Sequence, residues 1–430
     1  MTRRFSIITM GCKVNQYESD LLSLELSERG WERATGEPDV VVVNTCAVTG
    51  KAARQSLQEI RRAARERGGA IVAVTGCLVQ FEPESVAAIP GVSLAVGNPE
   101  KPGLPDHLDR TGGGPCRLIR SEARECRRFP DPGRAVTGFR ARPLLKIQDG
   151  CDRFCSYCVV PRTRGPSRSL PGPEVLARLA ELHETGYGEA VLTGIHLGCW
   201  GRDLRPESSL EELVLATAGQ PDTPRLRLSS LEPDEFFPSI LSLCHDPAGV
   251  CPHFHLPLQS GSAEILSRMN RPYPPQAFAE AVRAIAAALP HAAVGADVMA
   301  GFPGETDAHF SETLDFLESL PLAYLHVFPY SPRPGTPAVK FPGLPDVAVV
   351  RARCKAARKL SDARRLAFYS SMEGRVLFVA PETEEEGVAA GVSENYVPVR
   401  FSPRSPVRPG EIVPVRVSRV QGNKVWGEPA

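Results

Sequence analysis

Short apolar runs alternate with helix-period segments through the first hundred residues. Residues 5–9 precede the helical pattern ESDLLSLELSERG, residues 40–43 precede KAARQSLQEIRRAARERG, and residues 70–74 lead into a third such stretch. Strand-length runs spaced by amphipathic helices predict a small parallel α/β sheet. From about 141 to 340 six further strand-like runs recur with helical spacers: PLLKIQ, EAVLTGI, RLRLSS, HFHLPLQ, AVGADVM and YLHVFPYS. Six such units fit an incomplete (βα)6 barrel better than a closed eight-stranded one. Residues 344–370 read as one long helix. After Gly374, VLFVA, NYVPVRF, EIVPVRVSRV and KVWGE are short, alternating and turn-separated, which predicts a small antiparallel β-barrel. The stretch 99–140, rich in Pro, Gly and Arg, reads as a linker. The expected class is α/β, divided as 1–98, 99–140, 141–370 and 371–430.

A chain of 430 residues is long enough for two or three domains, each with a sizeable core. Its 50 basic and 50 acidic residues cancel, so net charge names no partner. The opening MTRRFSIITMGC is too short for a signal-peptide core and has no small-residue cleavage site. No apolar run reaches the length of a membrane span, so the chain is expected to be cytoplasmic with no membrane partner. In that setting twelve cysteines point to metal chemistry before disulfides.

Cys151, Cys155 and Cys158 form a Cys-x3-Cys-x2-Cys run in KIQDGCDRFCSYC, behind the apolar residues 144–147. Clusters usually take four cysteines, so three leave one iron of a [4Fe-4S] cube open to a small molecule. A zinc site or buried free thiols are the alternatives. The spacing resembles the signature of the radical S-adenosylmethionine (SAM) superfamily, in which the amino and carboxylate groups of SAM occupy the open iron.

Cys12, Cys46 and Cys77 each fall just past a predicted strand, in ITMGC, VVVNTC and VAVTGC. Ligands of an open parallel sheet bind outside the carboxyl ends of its strands. The three thiols are therefore expected to meet at one edge, with glycine before Cys12 and Cys77 allowing close backbone approach. Free cysteine is also a common core residue; a second three-thiolate cluster is the reading preferred here.

Catalytic groups of (βα) barrels gather at the C-terminal strand ends. Thr193 and Gly194 end the second strand, Ser229, Ser230 and Glu232 the third, and Gly295, Gly301 and Gly304 surround the end of the fifth. Thr193, Gly194, Ser229, Glu232 and Gly301 form the expected cradle for SAM, although Gly-rich strand ends equally serve turns. His255 and Gln259 fall on the fourth strand, and His255 reads equally as a satisfied core histidine. Cys116, Cys126, Cys199, Cys244, Cys251 and Cys354 show no ligand spacing; of these Cys199 is placed nearest the site.

Arginines crowd the same region. Arg153, Arg162, Arg164 and Arg168 flank the cluster motif, Arg117, Arg120, Arg124, Arg127 and Arg128 fill the linker, and Arg351, Arg353, Arg358, Arg364 and Arg365 line the long helix. A basic track of this kind suits phosphate contacts with RNA, or equally a solvated, salt-bridged face. In the terminal barrel Glu384, Glu385 and Glu386 offset the arginines, leaving Arg400, Arg416, Arg419 and Tyr396 as candidate contacts.

Taken together, MGCKVNQYES, DGCDRFCSYCVVPRTRG, FHLPLQSGS, DVMAGFPGET and the terminal small barrel resemble the methylthiotransferases over essentially the whole chain. The opening GCKVNQYES looks most like the branch acting on N6-threonylcarbamoyladenosine beside the tRNA anticodon, and the terminal segment is similar to a TRAM RNA-binding domain. The resemblance implies two [4Fe-4S] clusters and SAM as cofactors. Cys151, Cys155 and Cys158 would hold the cluster that cleaves SAM to a 5′-deoxyadenosyl radical. That radical removes hydrogen from carbon 2 of the adenine. Cys12, Cys46 and Cys77 would hold the cluster that carries the sulfur, which a second SAM methylates. It also implies tRNA as partner, an electron donor such as flavodoxin or ferredoxin, and a sulfur source. Alternatives are a ribosomal-protein aspartate as substrate, or a non-catalytic iron–sulfur RNA-binding protein.

Overall fold

A computed structural model describes residues 2–66, 69–112 and 114–430. The chain forms two compact units, each assembled from separated stretches of sequence. The first comprises residues 1–132, 148–169 and 331–339, and the second the remainder.

The first unit is built on a parallel sheet. Its strands are β1 (Arg4–Thr9), β2 (Glu32–Arg33), β3 (Val40–Thr45), β4 (Ile71–Gly76), β5 (Val92–Val96) and β6 (Arg117–Ile119), in the order β2-β1-β3-β4-β5-β6. β3 is buried along its whole length, as its unbroken valine run predicts. Helix α1 (Lys13–Glu28) follows β1, α2 (Gly50–Glu66) follows β3 and α3 (Cys77–Phe81) follows β4. One core contains Val41, Val43, Ile60, Val72, Val74 and Leu78, and a second contains Phe5, Leu26, Trp31, Val42 and Leu94. The sheet has three strands beyond those predicted. β2 and β6 are too short to show alternation, and β6 pairs with β5 from inside the Pro/Gly/Arg-rich stretch read as a linker. To this body the unit adds a short ribbon, Gln148–Asp149 against Arg168–Ser169, and helix α4 (Val160–Arg164).

The second unit holds all six strands expected of the partial barrel: β7 (Leu144–Lys146), β8 (Glu189–Thr193), β9 (Arg225–Leu228), β10 (His253–Gln259), β11 (Ala293–Ala300) and β12 (Tyr324–Pro329). They form two three-stranded parallel sheets, β9-β8-β7 and β10-β11-β12. A parallel bridge between Leu226 and Val250 joins the stretch ahead of β10 to β9. Helix α5 (Val347–Ser370) packs on the outside through Ala357 and Cys354.

The terminal barrel belongs to this unit too. It has five strands where the alternation predicts four: β13 (Val376–Glu385), β14 (Val388–Ser393), β15 (Pro398–Phe401), β16 (Val413–Gln421) and β17 (Lys424–Pro429). They close in the order β13-β14-β15-β17-β16 around Leu377, Val379, Val399, Phe401, Val415 and Val425. The additional strand, VAAGVS, has only small and modestly apolar side chains. The acidic run sits at the β13–β14 hairpin, with Glu386 (φ +51°) and Gly387 (φ +75°) turning the chain.

Beneath the strands of the partial barrel lies a buried ion cluster. Glu189, with no side-chain exposure, accepts from Arg225 Nη2 at 2.6 Å and from Arg227 Nε at 2.6 Å. The same guanidiniums donate to the carbonyls of Phe378, Ser393 and Glu394, so one carboxylate anchors the partial barrel to the terminal one.

Candidate active site

The strands that precede Cys12, Cys46 and Cys77 are neighbours: β1, β3 and β4 lie side by side, about 4.8 Å apart. Cys12 N-caps α1, Cys46 directly follows Thr45 of β3, and Cys77 opens α3 after Gly76. All three stand at the carboxyl edge of one sheet. Two glycines permit the approach. Gly11 has φ +93°, and a Cβ there would lie 2.8 Å from Cys46 Cβ. Gly76 has φ +101°, and its Cβ would lie 2.5 Å from the Thr45 carbonyl oxygen. Gly76→Ala therefore combines left-handed strain with a backbone collision, at roughly 2–4 kcal/mol. A denaturation midpoint unchanged from the parent would refute that reading.

Burial, and after it the neighbouring Cys77 thiol, push the Cys46 thiol up to about 12. Unaided, it is a neutral thiol near pH 7. Coordination to a metal centre removes the proton outright, so this donor set fits an iron–sulfur cluster and is otherwise inert.

Cys151, Cys155 and Cys158 lie in the loop between the short ribbon and α4. The Cys151 N–H donates to the Gly165 carbonyl and the Cys158 N–H to the Cys155 carbonyl, both at 3.0 Å. Two sulfurs accept backbone hydrogen bonds: Cys151 Sγ from Arg153 N at 3.5 Å, and Cys158 Sγ from Val160 N at 3.4 Å. Such donors favour thiolate and tune cluster potential. Within the loop Phe154 holds φ +50° and is 61% exposed, a strained position of the kind found at functional sites.

One buried polar network joins the two cysteine segments inside the first unit. Arg164, at the end of α4, donates to Asn15 Oδ1 at 2.7 Å, Glu18 Oε1 at 2.8 Å and Asp149 Oδ1 at 3.1 Å. Asn15 and Glu18 lie on α1, the helix that Cys12 caps. Asn15 Nδ2 donates in turn to the carbonyls of Met10 and Thr45, beside Cys12 and Cys46. Lys101 bonds both Glu18 and Asn44 Oδ1. On the far side Asn98 Nδ2 donates to the Thr163 carbonyl at 2.7 Å and to Cys77 Sγ at 3.6 Å. Arg164 also lies within electrostatic reach of Cys46 and Cys77. Asn15, Glu18 and Arg164 stand inside the motifs MGCKVNQYES and VVPRTRG, so the signal was present; their partnership spans about 150 residues and has no local signature.

The expected SAM cradle belongs to the second unit. Thr193 is buried at the end of β8, with Gly194 after it, and Ser229 N donates to the Leu192 carbonyl. Ser229 Oγ is buried without a hydrogen-bond partner. Glu232 is engaged by Arg271 Nη1 at 2.9 Å and by Tyr273 OH at 3.2 Å. Gly301, at φ +83°, donates to Glu305 Oε2 and packs where a Cβ would strike Val350, so it makes a turn. His255 is held by Asp297 at 2.9 Å and by Tyr324 OH at 3.2 Å. Burial opposes charge on Asp297, but hydrogen bonds from His255 and His326 hold its carboxyl well below the usual range.

Several expected RNA contacts are committed elsewhere. Arg164 and Arg168 are buried, and both pair with Asp149. Arg353 is buried against Glu305 and Asp307. Tyr396 stacks on His253, with ring centroids 4.1 Å apart and planes 9° from parallel. Arg351, Arg358, Arg400, Arg416 and Arg419 remain exposed.

Residues 145–317 match the model of the radical SAM superfamily, and residues 4–97 that of uncharacterized protein family UPF0004. The chain is 36% identical over 418 residues to the threonylcarbamoyladenosine tRNA methylthiotransferase MtaB of Bacillus subtilis, covering 95% of this chain and 92% of that protein. It is 34% identical over 437 residues to a tRNA-2-methylthio-N(6)-dimethylallyladenosine synthase of Cereibacter sphaeroides, covering 99% and 98%. The chain belongs to the radical SAM methylthiotransferase family. As a member it works with SAM and two [4Fe-4S] clusters. The fold is shared with the radical SAM methyltransferase TsrM of Kitasatospora setae, at TM-score 0.55 and 16% identity over 77% of each chain. Among the described residues of this methylthiotransferase no helix is long and apolar enough to cross a membrane.

Proposed function

We propose that this methylthiotransferase inserts a methylthio group at carbon 2 of N6-threonylcarbamoyladenosine at position 37 of tRNA. The reading is carried by likeness to MtaB proteins over nearly the whole chain: 36% identity to that of Bacillus subtilis and 36% over 405 residues to that of Aquifex aeolicus. The opening GCKVNQYES points the same way.

Cys151, Cys155 and Cys158 hold the SAM-cleaving cluster in this proposal, and Cys12, Cys46 and Cys77 hold the sulfur-carrying one. The bound clusters and SAM supply the hydrogen-abstracting and sulfur-transferring chemistry, which no side chain can perform. The chain's own residues position it. Arg164, Asn15 and Glu18 keep the two cysteine segments in fixed relation and bring positive charge to thiolates that must stay deprotonated. Thr193, Gly194, Ser229, Glu232 and Gly301 shape the SAM cradle, the last two as scaffold. Residues 371–430 form the RNA-binding domain, contacting phosphate through Arg400, Arg416 and Arg419. A low-potential electron donor such as flavodoxin or ferredoxin and a sulfur source complete the reaction, which takes place in the cytoplasm.

The 34% identity to a dimethylallyladenosine-directed synthase favours that nucleoside as a second reading. Mass spectrometry of tRNA nucleosides from a strain lacking the gene separates them. Loss of 2-methylthio-threonylcarbamoyladenosine, with its precursor accumulating, is expected. Loss of the dimethylallyl product instead would select the second reading, and an unchanged profile would redirect the search to ribosomal protein.

A further inference from the structure

His196, Cys199 and Glu235 are drawn together just beyond the carboxyl ends of β8 and β9. Cys199 Sγ lies 3.5 Å from His196 Nε2 and 3.5 Å from Glu235 Oε1, and His196 Nε2 lies 2.9 Å from Glu235 Oε2. The three side chains come from two single-turn elements. Residues Leu197–Cys199 form a 3-10 turn, closed by a Cys199 N–H to His196 carbonyl bond. In that geometry residues i and i+3 stand one above the other, so His196 and Cys199 share a face. Glu235 ends a second 3-10 turn, Pro233–Glu235. The approach depends on Gly198, where a Cβ would collide with the Glu235 carboxylate.

We infer that His196, Cys199 and Glu235 bind a zinc-class divalent cation, with the fourth position left to water or a substrate atom. Zinc takes imidazole, thiolate and carboxylate at about 2.0–2.3 Å in tetrahedral array, which puts ligand atoms about 3.3–3.7 Å apart. Both separations from Cys199 Sγ fall in that interval, and the His196–Glu235 distance requires the carboxylate to swing by a few tenths of an ångström. The donor set is soft and mixed, unlike an oxygen cage for magnesium or calcium. Burial adds a second argument. The side chains of His196 and Glu235 are each 4% exposed, and the only salt-bridge partner of Glu235 besides His196 is Arg202, itself 56% exposed. A buried carboxylate is costly unless paired. A divalent ion bound there supplies the charge and lets Arg202 turn to solvent.

Three protein ligands with an open position are the pattern of zinc sites that engage a ligand rather than merely brace a fold. Here the open position faces the end of the barrel at which such folds bind substrates. An oxygen-rich or thiolate ligand is the chemistry that would complete it. The site also pins the loop after β8, which carries Thr193 and Gly194, to the loop after β9, which carries Ser229 and Glu232. Its occupancy therefore controls the spacing of the SAM cradle.

Metal analysis of anaerobically purified, iron-replete protein tests this. About one zinc per chain is expected, falling to a trace in the Cys199→Ser/His196→Gln double variant while iron content is unchanged. A variant with alanine at Cys12, Cys46, Cys77, Cys151, Cys155 and Cys158 should retain its zinc. Loaded with cobalt(II), that same variant should show thiolate-to-cobalt charge transfer, lost when Cys199→Ser is added. If this substitution unfolds the chain, Glu235→Gln provides the same comparison with the sulfur kept. Zinc absent from the parent, or equal in parent and double variant, overturns the inference. So does zinc lost together with the cluster cysteines, which would show that it occupied those thiols instead.

Discussion

Alanine at Cys12, Cys46 and Cys77 is expected to leave reductive cleavage of SAM running while abolishing methylthio-tRNA; alanine at Cys151, Cys155 and Cys158 is expected to abolish both. The asymmetry follows from where the thiols stand. The first trio occupies the carboxyl edge of β1, β3 and β4, at the ends of strands whose cores are complete without it. Losing those sulfurs removes one cluster and little packing. The second trio lies in a loop ordered by its own backbone, through Cys151 to Gly165 and Cys158 to Cys155, so its sulfurs are likewise not needed for folding. Measuring 5′-deoxyadenosine and 2-methylthio nucleoside in parallel gives the answer. Methylthio product from the first triple variant would end the two-cluster reading. Cleavage of SAM by the second would remove Cys151, Cys155 and Cys158 from the reducing site.

The largest effect on stability is expected at Glu189. Two guanidiniums converge on this carboxylate, and both go on to bond carbonyls of the terminal barrel. Glu189→Ala leaves Arg225 and Arg227 buried and uncompensated, a loss of roughly 3–5 kcal/mol. Burial alone would raise the Glu189 carboxyl, but Arg227 and then Arg225 reverse this and hold it at about 2. A depressed carboxylate adds stability above its unfolded pKa and loses it as pH falls through the folded one. The contribution is thus full above pH 4.5 and fades towards pH 2. Urea titrations of parent and Glu189→Gln between those limits should converge at the acid end. A constant gap between the two curves would show that the carboxylate is not what titrates.

The positions of the six cluster cysteines relative to strands were legible because each belongs to a short motif beside an apolar run. The six barrel strands were legible for the same reason. β2 and β6 escaped because two or three residues carry no period, and VAAGVS because small side chains blur alternation. Charge was the least legible property. Arg164, Arg168 and Arg353 read as a phosphate-binding track, yet each is buried against carboxylates that lie elsewhere in the sequence. Tyr396 read as a stacking surface for bases and instead covers His253. Cys199 showed no ligand spacing because its companion Glu235 arrives from the next barrel strand, 36 residues later.

The first unit is stitched from residues 1–132, 148–169 and 331–339, and this sets a timetable for its birth on the ribosome. Its sheet, with Cys12, Cys46 and Cys77 along one edge, can form once β6 has emerged. The last stitch is made roughly 200 residues later, a delay of about 10–40 s at bacterial elongation rates. For that interval the thiol-bearing edge waits for segments that will later cover it. Iron–sulfur delivery therefore has a natural window during synthesis, and oxidation has the same one. Slow translation through residues 133–330 would lengthen both.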